Sequence, residues 1–242
     1  MTIPTITAHR ACKGHAPENT LAGIRAALRL RADSIEVDVH CTRDGVPVLL
    51  HDATVDRTTD GEGEIAALSL RQARRLDAGR GHALSLPKGE RIPTLREVLQ
   101  TVNGRAVLVL EVKAGGIEEA VLQVVRRAGA LDWCVVHSFL PNIVERFRQL
   151  EPRMACSLLT SGREVKDWAQ FFGFVLSLGA QGVSVHHSAV TPKLVRACHL
   201  RELHCATWTV NRRVDVRRVA ACGVDAITSD YPDRVRRWLP KR

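Results

Sequence analysis

Residues 34–51, Ser-Ile-Glu-Val-Asp-Val-His-Cys-Thr-Arg-Asp-Gly-Val-Pro-Val-Leu-Leu-His, contain two apolar runs that are separated only by Cys41–Gly45. Within this separation, Arg43-Asp44-Gly45 has the composition of a tight turn. Parallel neighbours need a crossover of a dozen or more residues, so the two runs are predicted to form an antiparallel pair. The hairpin would return His51 to a position beside Asp38, at the carboxyl end of the first run.

Around this hairpin, short aliphatic runs alternate with stretches of helical periodicity. We predict strands near Ile6–Arg10, Ser34–His40, Val107–Lys113, Cys134–Phe139, Met154–Thr160, Gly182–His186, Cys205–Asn211 and Asp225–Asp230. We predict helices near Leu21–Leu30, Leu95–Val102, Ile117–Ala128, Ile143–Leu150, Pro192–Leu200 and Asp215–Cys222. Such alternation indicates βα units around a parallel sheet.

Eight strands in 242 residues predict a closed (β/α)₈ TIM barrel, with one domain spanning residues 1–242. A doubly wound open sheet is the alternative, but no GxGxxG motif follows the first strand. Residues 52–93 are Gly-rich and charged, with one short helical stretch near Leu70–Leu76. Because long loops in compact domains are usually functional, we predict that 52–93 is a capping insertion over the barrel mouth.

The composition limits which side chains can form the core and which partners the protein is expected to bind. Hydrophobic residues make up 45% of the chain but aromatic residues only 4%, which predicts a barrel interior layered from branched aliphatic side chains. The net charge is +9, yet the arginines occur at helix-like spacings without interleaved aromatic residues. This pattern favours solvated helix faces that attract anionic substrates, and no nucleic-acid partner is expected.

Targeting features and cysteine spacing bear on localisation. The chain has no apolar run of about 18 residues, and Met1–Arg10 lacks the apolar stretch of a signal peptide. We therefore expect no stable membrane anchor and no secretion by the usual route. The seven cysteines are scattered and form no CxxC pair, which argues against a disulfide framework or a zinc cluster. A reduced, cytoplasmic setting is predicted.

Acidic side chains mark the carboxyl ends of two predicted strands, where TIM barrels carry their active sites. Glu36 and Asp38 are two residues apart and share a face, and Glu111 ends another strand. Inward-facing carboxylates are costly to bury unless they are paired or metal-bound. Three of them at one mouth would suit Mg²⁺ or Ca²⁺. Spacing alone leaves open an alternative, in which Glu111 forms an ion pair with Lys113 and the others bond to backbone.

Two histidines and two cations lie at the same strand ends. A lone histidine is usually only a satisfied polar group, but His9 and His51 at one mouth beside a metal would make a plausible acid and base pair. Arg10 and Lys113 would offer fixed positive charge to a phosphate group.

These residues belong to an ordered series of motifs. The series comprises His9-Arg10, Pro17-Glu18-Asn19-Thr20-Leu21, Ile35-Glu36-Val37-Asp38-Val39, Thr42-Arg43-Asp44-Gly45, His51-Asp52, Arg57-Thr58-Thr59, Ile92-Pro93-Thr94-Leu95, Leu110-Glu111-Val112-Lys113, Ser138-Phe139, Trp208-Thr209-Val210-Asn211 and Ser229-Asp230-Tyr231-Pro232. In order and spacing it resembles the glycerophosphodiester phosphodiesterase family of cytoplasmic bacterial type, over about residues 5–234. One departure is Ala11, where the family usually has glycine, and this puts the shape of the pocket in doubt more than the chemistry.

The resemblance implies metal-dependent hydrolysis of a small-molecule phosphodiester to glycerol 3-phosphate and an alcohol. It assigns Glu36, Asp38 and Glu111 to one divalent cation, Mg²⁺ or Ca²⁺. His9 and His51 match the catalytic histidines. Arg10 and Lys113 match the phosphate-contacting cations, Trp208 matches an aromatic residue of the substrate pocket, and residues 52–93 match the capping insertion.

Two other functions were weighed against this one. A lysophospholipase D-like activity on membrane lysolipids would use the same residues, and the basic charge favours it mildly. A barrel that binds nucleic acid or a phosphorylated partner without turnover is supported only by the net charge, whereas every matched catalytic position is retained. The sequence makes no prediction of the oligomeric state.

Overall fold

The structure, a computed structural model, describes residues 3–80 and 89–240. Eight parallel strands close into a barrel, because the last of them, Ala226–Ser229, pairs with both His204–Trp208 and the first strand, Thr5–Ala8, which pairs in turn with Ser34–Cys41. These strands are β1 (Thr5–Ala8), β2 (Ser34–Cys41), β4 (Val107–Val112), β5 (Cys134–Ser138), β6 (Ala155–Thr160), β7 (Gly182–His186), β8 (His204–Trp208) and β9 (Ala226–Ser229). The predicted TIM barrel is thus confirmed, and all eight predicted strands are present with ends shifted by up to three residues.

Helices follow the strands around the outside of the barrel. They are α1 (Leu21–Arg29), α2 (Leu70–Ala73), α3 (Leu95–Val102), α4 (Glu118–Arg127), α5 (Pro141–Leu150), α6 (Trp168–Ser177), α7 (Pro192–His199), α8 (Arg213–Ala221) and α9 (Pro232–Trp238). None of the helices in the described ranges is long and apolar enough to cross a membrane.

Helix α6 is absent from the sequence prediction. Its residues, Trp-Ala-Gln-Phe-Phe-Gly-Phe-Val-Leu-Ser, include no charged side chain, so no polar face contrasts with an apolar stripe. Its amino-terminal end is nevertheless well defined, because the Asp167 carboxylate accepts hydrogen bonds from the backbone N–H groups of Ala169 and Gln170. Capping, rather than amphipathic periodicity, identifies this helix.

The predicted hairpin positions the site. β3 (Pro47–Leu49) pairs antiparallel with β2, with Leu49 opposite Val39. The backbone N–H of Leu50 then donates to the carbonyl oxygen of Asp38 at 3.1 Å, so His51 emerges beside the end of β2. Gly45 makes the turn possible, because its φ of +73° is a left-handed value that glycine adopts without strain.

The segment after the hairpin has a small apolar core of its own. Val48 and Leu50 of the hairpin pack against five buried residues of this segment. These are Val55, Ile65, Ala73, Ala78 and Ile92. This packing attaches the segment to the hairpin at the carboxyl end of β2. Residues 81–88 lie outside the described residues, so the predicted boundaries of the capping insertion, 52–93, stay a prediction.

The main hydrophobic core lies between the strands and the helices and is aliphatic as predicted, whereas the barrel interior holds only some branched aliphatic side chains, among them Val109 and Val135. The branched side chains of Ile35, Val37, Leu110 and Val136 are buried in this outer layer. Small or hydroxyl-bearing residues face the barrel axis instead, among them Thr7, Ser34, Ser157, Ala206 and Thr228. The low aromatic content predicted that the core is aliphatic. It did not predict on which side of the strands the core lies.

Adjacent valines on β5 provide a matched test of this layering. Val136 is fully buried under the helices, whereas Val135 faces the axis and is half-buried. We expect Val136→Ala to lower the free energy of unfolding by about 2 kcal/mol, through lost burial and a new cavity. Val135→Ala should cost less than half as much, because its side chain already borders empty space. Urea denaturation of both variants gives the comparison, and equal losses would contradict this placement of the core.

Candidate active site

A pocket of about 110 Å³ opens at the carboxyl ends of the strands. Seven of the eight residues that the sequence proposed for the site line it, namely His9, Arg10, Glu36, His51, Glu111, Lys113 and Trp208. The eighth, Asp38, is buried, and its carboxylate lies 3.4 Å from the Lys113 ammonium nitrogen. The fold therefore brings together residues that are up to 199 positions apart in the chain.

Three carboxylates converge at this end of the barrel. Asp38 on β2 stands opposite Glu111 on β4, and Glu36 precedes Asp38 by two residues on the same face. One oxygen from each of the three side chains lies within 4.8 Å of the others. Burial, together with the charges of Asp38 and Glu111, raises the pKa of Glu36 well above its ordinary value. The cluster therefore favours a compensating positive charge.

Lys113 supplies part of that charge. Its ammonium nitrogen lies 2.5 Å from Glu111 Oε1 and 3.4 Å from Asp38 Oδ1. Burial lowers the pKa of Lys113, but the two carboxylates outweigh burial and the pKa is raised. The Glu111–Lys113 ion pair of the alternative interpretation is thus present, and Glu36 Oε2 does accept a backbone N–H, from Arg10, at 2.7 Å.

One carboxylate oxygen is left over by these contacts. Glu36 Oε1 is buried and has no hydrogen-bond partner among the described residues. An unsatisfied buried oxygen beside two further carboxylates is a costly arrangement without a cation. Because all three donors are carboxylate oxygens, the cluster could hold a hard divalent metal ion.

Asn19 fixes Asp38 from the loop after β1. The Asn19 amide nitrogen donates to Asp38 Oδ2 at 2.8 Å, and its amide oxygen accepts the backbone N–H of Asp38 at 3.0 Å. Glu18, the preceding residue of the same motif, braces Arg10, since Arg10 Nη1 donates to Glu18 Oε1 at 3.1 Å. The side chain of Asn19 instead orients the acidic cluster.

Each histidine is oriented by its own carboxylate. His9 Nδ1 lies 2.6 Å from Asp230 Oδ1, and His51 Nδ1 lies 2.6 Å from Asp52 Oδ1. An ionised carboxylate only accepts, so Nδ1 carries the proton in both rings and Nε2 is left for other chemistry. In the sequence analysis, Asp230 and Asp52 appear only as parts of motifs, with no role assigned to either carboxylate.

The two carboxylates stay ionised for different reasons. Burial raises the pKa of Asp230, but hydrogen bonds from His9 and Asn211 outweigh it, and the pKa is lowered. Partial burial raises the pKa of Asp52 as well, but hydrogen bonds from Arg57 and His51 bring it down to about 2. Both groups therefore keep a negative charge beside their histidines at neutral pH.

An ionic chain links His51 to Arg10. Arg57 Nε donates to Asp52 Oδ2 at 2.6 Å, and its terminal nitrogens contact the Glu18 carboxylate at 2.7 and 3.1 Å. Glu18 in turn accepts from Arg10. Arg10 Nε remains buried without a hydrogen-bond partner among the described residues, 3.7 Å from Asp38 Oδ2. Arg10 thus retains an unused donor at the pocket.

The other half of the mouth is aromatic. The Trp208 ring packs edge-on against Phe139 and His186, with centroid distances of 5.4 and 5.1 Å, and its indole N–H donates to the carbonyl oxygen of Ser184. His137, on β5, also lines the pocket, and the sequence analysis missed it. Its place two residues before Phe139 on a predicted strand was the available signal. The pocket therefore has a charged wall and an apolar wall.

Comparison with known proteins agrees with this geometry. The sequence profile of the glycerophosphoryl diester phosphodiesterase family matches residues 9–234. A glycerophosphodiester phosphodiesterase of Caldanaerobacter subterraneus subsp. tengcongensis is 34% identical over 236 residues, which cover 94% of each protein.

Solved structures show the same fold. A phosphodiesterase of Oleispira antarctica, in complex with the product sn-glycerol-3-phosphate, matches with a TM-score of 0.85 and 28% identity, over 98% of this chain and 96% of that one. A glycerophosphodiester phosphodiesterase of Agrobacterium tumefaciens matches with a TM-score of 0.83 and 27% identity, over 96% and 98% of the two chains. The chain belongs to the glycerophosphoryl diester phosphodiesterase family and is a phosphoric diester hydrolase.

Proposed function

We propose that the enzyme hydrolyses glycerophosphodiesters to glycerol 3-phosphate and an alcohol, with His9 and His51 as acid and base. The observation that carries this proposal is the pocket itself, where two carboxylate-oriented histidines face three clustered carboxylates. The Oleispira relative, which holds sn-glycerol-3-phosphate, supports the substrate class. A cytoplasmic setting and the absence of a nucleic-acid partner remain predictions from sequence.

Glu36, Asp38 and Glu111 would hold one divalent cation, Mg²⁺ or Ca²⁺. The all-oxygen donor set and the unpartnered Glu36 Oε1 support this assignment. Polarisation of the phosphoryl oxygens is the chemistry that the cation supplies when bound. Lys113 would remain close by as a second positive charge for the phosphate group.

The histidines would transfer protons through Nε2. In each histidine, Nδ1 donates its proton to Asp230 or Asp52, so Nε2 of the neutral ring can accept a proton. Once it has done so, the adjacent carboxylate stabilises the positively charged ring. One ring would take the proton of the attacking hydroxyl, and the other would donate a proton to the leaving alcohol. Arg10 would stabilise the phosphoryl charge, because its Nε forms no hydrogen bond within the described residues. Trp208 would line the apolar side of the substrate.

A second candidate is a lysophospholipase D-like activity on lysolipids. The observation in its favour is apolar exposure at the mouth, where Phe139 is 44% and Leu140 is 41% exposed and Phe139 packs against Trp208. An acyl chain placed there would cover apolar surface that is otherwise in water. The catalytic groups would be those proposed for glycerophosphodiesters.

Metal removal tests the proposed cation. We expect chelation to abolish release of glycerol 3-phosphate from glycerophosphocholine, and either Mg²⁺ or Ca²⁺ to restore it. In thermal or chemical unfolding, the restoring cation at a hundredfold excess over its Kd should stabilise the wild type by about 2.7 kcal/mol. Glu36→Gln should lose this stabilisation, whereas Glu145→Gln, on the exposed surface of α5, should keep it. Full activity in chelator would refute metal dependence.

Removal of one histidine tests the acid and base. We expect His51→Ala to lower kcat by 10²- to 10⁴-fold, which is the usual contribution of a positioned proton-transfer group, and to leave cation-induced stabilisation intact. His199 provides a matched control, because it forms a similar pair with Asp225, at 3.0 Å, on the exposed surface. His199→Ala should turn over normally. Near wild-type turnover of His51→Ala on every diester tested would rule out the two-histidine scheme.

The exposed apolar side chains at the mouth allow a test of the lysophospholipase D-like activity. If lysolipids are substrates, Leu140→Ser should lower kcat/KM on micellar lysolipid by about fourfold or more, with little change on glycerophosphocholine, because Leu140 is exposed beside the mouth and does not line the pocket. Leu200→Ser, at a 73% exposed leucine at the end of α7, is the control. No activity on lysolipid, with no co-sedimentation of the enzyme with vesicles, would eliminate this candidate.

A further inference from the structure

A second cavity, of about 350 Å³, occupies the barrel axis at the end opposite the active-site mouth. We call it the floor cavity; its walls include Thr5, Val107 and His204, which are the first residues of β1, β4 and β8. These three residues are exposed, so the floor cavity opens to solvent at the amino-terminal ends of the strands.

Small side chains create this space. TIM-barrel interiors are usually filled by bulky branched residues in stacked layers. Here Ala155, Ser157, Ala206 and Ala226 occupy axis-facing positions on β6, β8 and β9 and leave the layer unfilled. The volume lies within the range of small-molecule sites, and it is large for a void in a close-packed interior.

The floor cavity also contains polar groups that lack protein partners. Among the described residues, no hydrogen bond is formed by the side chains of His137, Ser157 or Thr228. Other polar groups in the wall are satisfied, since Thr7 bonds to Ser34 at 2.6 Å and Asp33 accepts the backbone N–H of Ile6 at 2.9 Å. The polar atoms of His137, Ser157 and Thr228 are not fully buried, so they are open to water or to a ligand in the cavity.

The chemistry of the wall is neutral. Burial lowers the pKa of His137 to about 3, and burial also lowers the pKa of His204, although Asp225 opposes that shift. The one carboxylate, that of Asp33, lies 3.7 Å from the Arg236 guanidinium as well as accepting from the backbone. Alanine and valine methyl groups supply most of the remaining surface. No free charge in the wall would offset the dehydration of an ion.

We propose that the floor cavity is a second binding site, which takes short linear alcohols. The hydroxyl group would bond to His137, Ser157 or Thr228, and the hydrocarbon stem would contact the alanine and valine methyl groups. His137 and Thr228 line the active-site pocket as well, so they form the partition between the two spaces. Binding here does not depend on the proposed catalytic function, because it requires neither cation nor turnover.

Chain length provides the sharpest test. Histidine imidazole resonances of metal-free protein would be followed by NMR during titration with ethanol, 1-propanol and 1-butanol, with the His137 signals assigned from a His137→Gln variant. We expect saturable shifts of His137, with affinity increasing about fourfold for each added methylene. Butylammonium and butyrate should not shift these signals, because the cavity has no free charge to pair with them.

A variant that fills the floor cavity provides a second test of alcohol binding. Ala206 lies on β8 between His204 and Trp208 and faces the axis. Ala206→Leu should abolish the saturable shift, whereas Ala169→Leu, on the exposed surface of α6, should retain it. Shifts that are linear in alcohol concentration and equal in wild type and Ala206→Leu would overturn the proposal, as would equal binding of butylammonium. If Ala206→Leu fails to show a cooperative melt, the chain-length series and the charged analogues on wild type still decide the question.

Discussion

The carboxylates of Glu36, Asp38 and Glu111 are held against one another by the pairing of β2 with β4, and the site depends on this repulsive contact. Parallel register puts Asp38 directly opposite Glu111, so neither strand can move one carboxylate away without breaking the sheet. The repulsion is offset by Lys113, by Asn19 and by the backbone N–H of Arg10. A barrel strand pair thus maintains a charge arrangement that flexible loops would relax.

The loop after β1 adopts an uncommon conformation to meet this cluster. Arg10, Ala11 and Cys12 have consecutive positive φ values of 46°, 65° and 104°, where non-glycine residues are typically strained by about 1–3 kcal/mol each. The sequence analysis noted Ala11 as a departure from the glycine expected by resemblance, and its left-handed φ is one that glycine adopts without strain. In return, the bend directs the Arg10 N–H at Glu36, and the Arg10 carbonyl oxygen accepts the backbone N–H of Asn19.

Local patterns predicted the positions of the strands and of the hairpin, because each of these features is encoded within a few neighbouring residues, and the motif series proposed eight site residues, of which seven line the pocket. Long-range pairing was not predictable in the same way. The partner of His9 is Asp230, 221 residues away, and before the barrel closes nothing distinguishes that aspartate from a helix cap. The location of the core also escaped prediction, although the alternation along β2 separates Ile35 and Val37 in the core from Ser34, Glu36 and Asp38 on the other face.

The two histidines consequently depend on different parts of the fold. His51 obtains its carboxylate from the next residue, and Arg57 secures that pair from the segment after the hairpin. His9 obtains its carboxylate only when β9 closes the barrel against β1, which brings Asp230 and Asn211 to the mouth. Orientation of the His9 ring is therefore coupled to closure of the whole barrel. Loss of the pairing between β1 and β9 would change the orientation of the His9 ring, whereas His51 would keep its carboxylate partner. The two proton-transfer groups therefore differ in how strongly they depend on closure of the barrel.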